Sequence, residues 1–168
     1  MFARVPYHGV RLTADGTRVA MAVLRRHRLL ELFLAEVLDV PWDRVHAEAE
    51  VLEHALSEDL TDLISTKLGD PDFDPHGDPI PDRDLAIVET ETTALADLAP
   101  GDSARFVRVS DSNPEMLAYL SQCGIAVGDQ LELIERQPFD GPITVRIDSD
   151  SHVLGLTLAQ AMRVDHNG

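Results

Sequence analysis

The sequence predicts an α+β chain in two parts, an all-α domain over residues 14–83 and a small β-barrel over 92–168. Three observations lead there. A long helical pattern follows Thr13. Four prolines and a glycine crowd the thirteen residues Asp70–Asp82, which no regular element accommodates. After Ala104 the pattern changes to short alternating segments separated by tight turns.

The elements follow in order. Val10-Arg-Leu-Thr13 reads as a short strand, with Thr13 placed to cap a helix from Ala14 to about Val37. Val19, Val23, Leu24, Leu30, Phe33 and Leu34 give that helix an apolar side. Pro41 suits a second helix start, predicted from Trp42 to Leu56. Ser57 caps a third through Leu68, stopped by Gly69. Residues 84–91 read as an acidic linker. Beyond it, Ala104–Val109, Asp129–Arg136 and Pro142–Ile147 alternate as strands. Pro114–Cys123 is a short helix stopped by Gly124, and Leu154–Met162 a strand passing into one helical turn.

Bulk properties narrow the function. No apolar run reaches the ~20 residues of a membrane span, and the first ten residues lack the apolar core of a signal peptide. Cys123 is the only cysteine, so no internal disulfide forms and a reducing cytoplasm is the expected compartment. The net charge of −16 is uneven. Residues 1–28 hold six arginines against Asp15 alone, leaving +5 there and −21 on the other 140. A nucleic-acid surface would need a basic patch, so only that first stretch qualifies.

The chemistry concentrates on two helices. His46, Glu50, Glu53 and His54 fall at i, i+4, i+7 and i+8, within an arc of roughly 100° on an ideal helix. Two imidazoles and two carboxylates on one face are costly to bury unpaired, so a divalent cation is the natural counterpart. Nitrogen and carboxylate donors suit Mn²⁺, Fe²⁺, Co²⁺, Ni²⁺ and Zn²⁺. His27 and Glu31 form a second i, i+4 pair upstream, which an antiparallel helix packing would bring against the first. A solvated polar helix surface is the alternative for each set. His76 reads as a turn histidine.

With these motifs placed, the chain resembles the metal-dependent transcriptional repressors of the diphtheria toxin repressor and manganese transport regulator family. The matching stretches are Arg11–Gly16, Arg25–Glu31, Val45–His54 and Pro75–Pro81. Residues 92–166 are similar to the SH3-like domain of that family and to the small iron-transport protein FeoA. The resemblance implies a homodimer through the helical domain and no small-molecule substrate or membrane partner. It implies that His27, Glu31 and His46 hold an ancillary ion and that Glu50, Glu53 and His54 belong to a primary, activating site. Glu115 and Asp111, in Ser110–Met116, are the candidate ligands from the second domain, with Asp111 or Asn113 also suited to cap a helix at Pro114. Iron-responsive members carry cysteine where this chain has Glu50, and manganese-responsive members glutamate. The expected cofactor is therefore Mn²⁺, with Fe²⁺ second and Zn²⁺, Co²⁺, Cd²⁺ or Ni²⁺ as substitutes.

The resemblance departs at its start. Members begin with a winged helix-turn-helix domain, and residues 1–13 resemble only its last wing strand, Tyr7–Thr13. The expectation is a metal-sensing and dimerising part of a regulator, without the recognition helix, reaching DNA only through the missing domain. Two other readings fit parts of the sequence. A metalloenzyme would use a three-ligand site with open positions, but no His-Glu-x-x-His motif, phosphate loop or activated serine accompanies it. A FeoA-like, transporter-associated or peptide-binding module would need more than the few aromatics Phe106, Tyr119 and Phe139.

Overall fold

The computed structural model describes residues 2–4 and 10–166. Tyr7, His8 and Gly9, expected in a wing strand, lie outside these. Their neighbours Val10–Leu12 form β2, antiparallel to β1 at Phe2–Arg4. Two units follow. The first comprises residues 1–41, 45–74 and 79–89, and the second 42–44, 75–78 and 90–168.

In the first unit Thr13 begins α1, Ala14–Leu38, its hydroxyl accepting from the Gly16 amide at 3.1 Å. This fills one of the helix's unpaired amide positions. At the other end Asp39 takes φ 53 in place of the usual glycine, and the Val40 amide closes back on the Leu34 carbonyl at 3.0 Å. α2 runs Val45–Leu52 and α3 Glu58–Lys67. α2 is thus shorter than the predicted Trp42–Leu56. Trp42–Arg44 is a turn, and after Leu52 the chain tightens, the Ala55 amide bonding the Leu52 carbonyl at 3.0 Å. Leu56 then packs on the core while Ser57 caps α3. The core is small: Leu29, Leu30, Leu32, Leu34, Val45, Ala49, Ile64 and Ile80.

Arginines secure the proline-rich stretch to α1. The buried Arg25 donates to the Pro81 carbonyl at 2.6 Å and to the Ser65 hydroxyl at 3.0 Å, and Arg28 donates to the Pro79 carbonyl. Prolines leave few backbone amides to pair, so side-chain donors to their carbonyls take that part.

The second unit is an antiparallel sheet of six strands, ordered β3-β8-β4-β5-β6-β7. They are β3 Thr93–Ala94, β4 Ser103–Val109, β5 Gln130–Arg136, β6 Ile143–Ile147, β7 Asp150–Leu154 and β8 Met162–Asp165. Irregularities at Phe106/Arg108 and Leu133/Glu135 bend β4 and β5. α4, Pro114–Gln122, is capped by Asn113, and α5 is Leu156–Ala161. Leu154 therefore ends a strand rather than beginning one. β7 escaped the sequence reading because Asp150-Ser-His152 is polar, as suits a sheet edge.

Pro75–Asp78 belongs to this sheet unit. The Val109 amide donates to the His76 carbonyl at 2.9 Å. Gly77 sits at φ +85 so close to β4 that a Cβ would stand 1.8 Å from the Val107 oxygen. The His76 ring stacks on Trp42, centroids 5.9 Å apart, and its Nε2 donates to the Trp42 carbonyl at 2.8 Å.

Candidate metal centre

One turn of α1 separates His27 from Glu31, and α2 brings His46 against both. His27 Nε2 stands 3.1 Å from Glu31 Oε1 and 3.1 Å from His46 Nδ1. His46 Nδ1 to Glu31 Oε1 closes the triangle, again at 3.1 Å. Adjacent donors around an octahedral ion with bonds of about 2.1–2.2 Å stand about 3.0–3.1 Å apart. The three donors therefore have the spacing a first-row divalent ion requires. Their chemistry fits as well: two imidazole nitrogens and one carboxylate oxygen, with no thiolate. The Glu31 side chain is only 1% exposed, and a carboxylate so deep needs a cation beside it.

Without a metal, protons supply part of that charge. The Glu31 hydrogen bond, opposed by burial and helped by Glu53, raises the His27 pKa from 6.5 to about 9. An ion held at the triangle would take the place of a proton on Nε2.

Glu53 stands behind the triangle. Its Oε2 lies 2.8 Å from His27 Nδ1 and its Oε1 3.6 Å from His54 Nε2. The Glu53 carbonyl accepts from Arg26 Nη1 at 3.2 Å, which fixes the end of α2. Because α2 stops at Leu52, His54 leaves the helical face assumed from sequence, and its side chain is 78% exposed. Glu50 is also exposed, on α2. Neither belongs to the triangle. Asp111 and Glu115 lie in the second unit, Asp111 half-buried after β4 and Glu115 exposed in the first turn of α4. Asn113, not Asp111, caps that helix, its side chain accepting from the Glu115 and Met116 amides.

Sequence reasoning missed Asp74. Its buried carboxylate has an oxygen within 4.8 Å of one of Glu31's, and Arg28 Nε lies 3.7 Å from it. Among four prolines, nothing in the local pattern marks one aspartate for burial.

Residues 13–82 match the family described as "Iron dependent repressor, metal binding and dimerisation domain", and residues 93–166 match the FeoA domain. A solved manganese-dependent transcriptional repressor, in complex with manganese, is 43% identical. It superposes with a TM-score of 0.88 over 98% of this chain and 77% of its own. The chain belongs to the family of metal-dependent transcriptional repressors. Another solved member, also a manganese-dependent transcriptional repressor, is 46% identical with a TM-score of 0.82, over 91% of this chain and 84% of that one. The iron-dependent repressor of Mycobacterium leprae (strain TN) is 35% identical over 132 residues, 74% of this chain and 52% of that protein. The chain thus spans about half the length of that curated relative. The family resemblance drawn from the four motifs agrees with these matches, as does the α+β class. Among the described residues no helix is long and apolar enough to cross a membrane.

Proposed function

We propose that this chain is the metal-sensing and dimerising part of a Mn²⁺-responsive transcriptional regulator of metal homeostasis, acting in the cytoplasm. Fe²⁺ is the second choice of ion. The observation that carries the reading is the triangle of His27, Glu31 and His46, whose equal spacing and donor chemistry suit a divalent ion. The absence of thiolate, with Glu50 where iron-responsive members carry cysteine, favours the harder Mn²⁺. Both solved members compared above are named for manganese, while the Mycobacterium protein is named for iron. His27, Glu31 and His46 hold the ancillary ion. Glu50, Glu53 and His54 supply the primary ion's ligands from this chain, and Asp111 and Glu115 are the candidates from the second unit.

Dimerisation has its own support. Val37, Leu38, Val51, Leu52, Leu60 and Leu63 are exposed on the three helices, more apolar surface than a lone helical unit gains by showing. Ion occupancy in the dimer then sets the affinity of the whole regulator for DNA.

Calorimetric titration of the metal-stripped protein with Mn²⁺, and with Fe²⁺ under anaerobic conditions, tests this. Saturable binding by a dimer, lost in part in His27→Ala, is expected, with Mn²⁺ the tighter. A parent protein that binds neither ion would end the metal reading.

A further inference from the structure

Residues 1–28 hold six of the fourteen basic side chains in a chain of net charge −16, and three of the six gather at one cavity. Arg18, Ala22, Arg25 and Arg26 fall at i, i+4, i+7 and i+8 of α1, which puts them on one face. That face, the start of α3 and the turn at 82–86 enclose a cavity of about 350 Å³ within the helical unit. Arg83 is the fourth arginine on its lining, and Glu58 and Asp62 are the acids there. These six charges sum to +2, against the sign of the whole chain.

The guanidinium groups keep donors in hand. Arg25, its side chain 9% exposed, gives Nη1 to the Pro81 carbonyl and Nη2 to the Ser65 hydroxyl, with Asp62 3.9 Å away. Arg26 gives Nη1 to the Glu53 carbonyl, while its buried Nε has no hydrogen-bond partner, a rare state for a buried donor. Arg83 reaches Thr66 and Asp70 through Nη2, both at 3.3 Å, which leaves the rest of its fork. The turn that carries Arg83 is strained. The Asp82 carboxylate accepts from the Asp84 and Ala86 amides at 2.8 and 2.9 Å, and Leu85 is held at φ 63. Such a backbone is costly for a residue with a Cβ and is kept most often at ligand clamps. Leu85 joins Val19 and Ala22 as the apolar part of the lining.

We propose that this cavity binds a small dianionic phosphate, a phosphomonoester carrying a short apolar group. Planar guanidinium forks match phosphate oxygens two at a time. The excess of +2 balances the two charges of a monoester above its second pKa of about 6. Inorganic phosphate would leave Val19, Ala22 and Leu85 unmatched. A nucleic-acid duplex fits poorly, since its neighbouring phosphates would meet Glu58, Asp62 and then the acidic remainder of the chain. Arg28 takes no part, serving the Pro79 carbonyl and Asp74 instead. The site does not depend on the metal reading of His27, Glu31 and His46.

The intact chain, stripped of metal so that phosphate meets no bound ion, is titrated calorimetrically at about pH 7.5, where the monoester is dianionic. The probes are phenyl phosphate, inorganic phosphate and a short DNA duplex. One phenyl phosphate per chain is expected, bound more tightly than inorganic phosphate. Arg18→Ala and Arg83→Ala, both at exposed positions, should each weaken it about tenfold, the size of one lost charge-assisted contact. Arg11→Ala removes the same charge from an exposed position beyond the lining and should leave affinity within about twofold, because salt screens it. Leu85→Gly should bring phenyl phosphate down toward inorganic phosphate and leave the latter unchanged.

A parent chain that shows no saturable binding of phenyl phosphate overturns the site. So does equal weakening by Arg11→Ala and Arg18→Ala, which would mean diffuse attraction to the basic stretch. A preference for phenyl phosphate that survives Leu85→Gly overturns the apolar part of the ligand. DNA bound more tightly than phenyl phosphate would make the face a nucleic-acid surface and end the small-ligand reading.

Discussion

The two units solve the problem of an interior in opposite ways. The sheet unit buries an almost wholly apolar set, with Phe106, Leu117, Leu120, Leu133, Ile143, Val145, Leu154 and Met162 at 0–1% exposure. Among its described residues the helical unit has eight apolar core residues, and beside them it buries Arg25, Glu31, Glu53, Thr61, Ser65 and Asp74. Burying apolar surface stabilises without regard to what is dissolved around the protein. Burying carboxylates beside imidazoles stabilises only when protons or metal ions complete the charge. On the reading proposed above, the sheet unit is a framework whose stability is its own, and the helical unit is one whose stability should rise when an ion binds. A sensor needs the second kind of interior, because a site that is satisfied when empty has nothing to report.

The comparison breaks most visibly if the sheet core is cut. Phe106→Ala should cost about 3–5 kcal/mol, the range for emptying a buried aromatic site. Chemical denaturation should show that loss to be the same with and without Mn²⁺. A loss that Mn²⁺ restores would mean that the two interiors are not independent. Adding Mn²⁺ at a hundred times its dissociation constant should stabilise the helical unit by about 2.7 kcal/mol, while the sheet unit stays unmoved. Thermal melts followed by the helical circular dichroism and by sheet amide exchange would separate the two. Equal shifts in both signals would contradict the division.

Much of this was legible in advance because it rests on local rules. Thr13, Pro41, Ser57 and Gly69 punctuate the helices, and the i, i+4 spacing of His27 and Glu31 is enough to place both on one face. The convergence of His46 on that pair followed from two adjacent helices. What stayed hidden is tertiary. The sequence pattern overextends α2 because no glycine or proline marks its end at Leu52. The stop comes from Leu56 seeking the core and Ser57 capping the next helix, so His54 does not share the face that an unbroken helix would give it. Pro75–Asp78 read as punctuation, since its pairing with β4 depends on a backbone approach that Gly77 permits and that no periodicity reports. The second unit claims Trp42–Arg44 and Pro75–Asp78 across a boundary drawn linearly at residues 84–91. β7 was missed for the same kind of reason, a polar edge strand having no buried face to show.

Smaller effects sharpen the contrast at single positions. Thr13→Ala removes the side-chain acceptor for the Gly16 amide and should cost about 1 kcal/mol, read as a lower midpoint of helical unfolding. Since the cap lies at the opposite end of α1 from Asp39, it should leave Mn²⁺ affinity within a factor of two or so. A large loss of affinity would show that the first turns of α1 are coupled to the triangle a few turns on.

The smallest effect should be a gain, in the sheet unit. Phe139 is 100% exposed at the hairpin tip between β5 and β6, and it holds φ 59 beside Asp140 at φ 57. Left-handed backbone costs a bulky residue roughly 1–2 kcal/mol, and a fully exposed ring recovers none of that by burial. The turn itself is well tied, Gln137 bonding the Pro142 carbonyl at 3.0 Å and Gly141 the Pro138 carbonyl at 3.2 Å, so the strain is imposed by the hairpin. Asparagine tolerates this conformation because its short side chain bonds locally. Phe139→Asn should therefore stabilise the chain by roughly 0.5–1 kcal/mol, measured as a raised denaturation midpoint with unchanged slope. A destabilised variant would mean that the ring is covered in solution. The sheet unit would then carry a contact surface at this tip, and the claim that it is only a self-sufficient framework would have to give way.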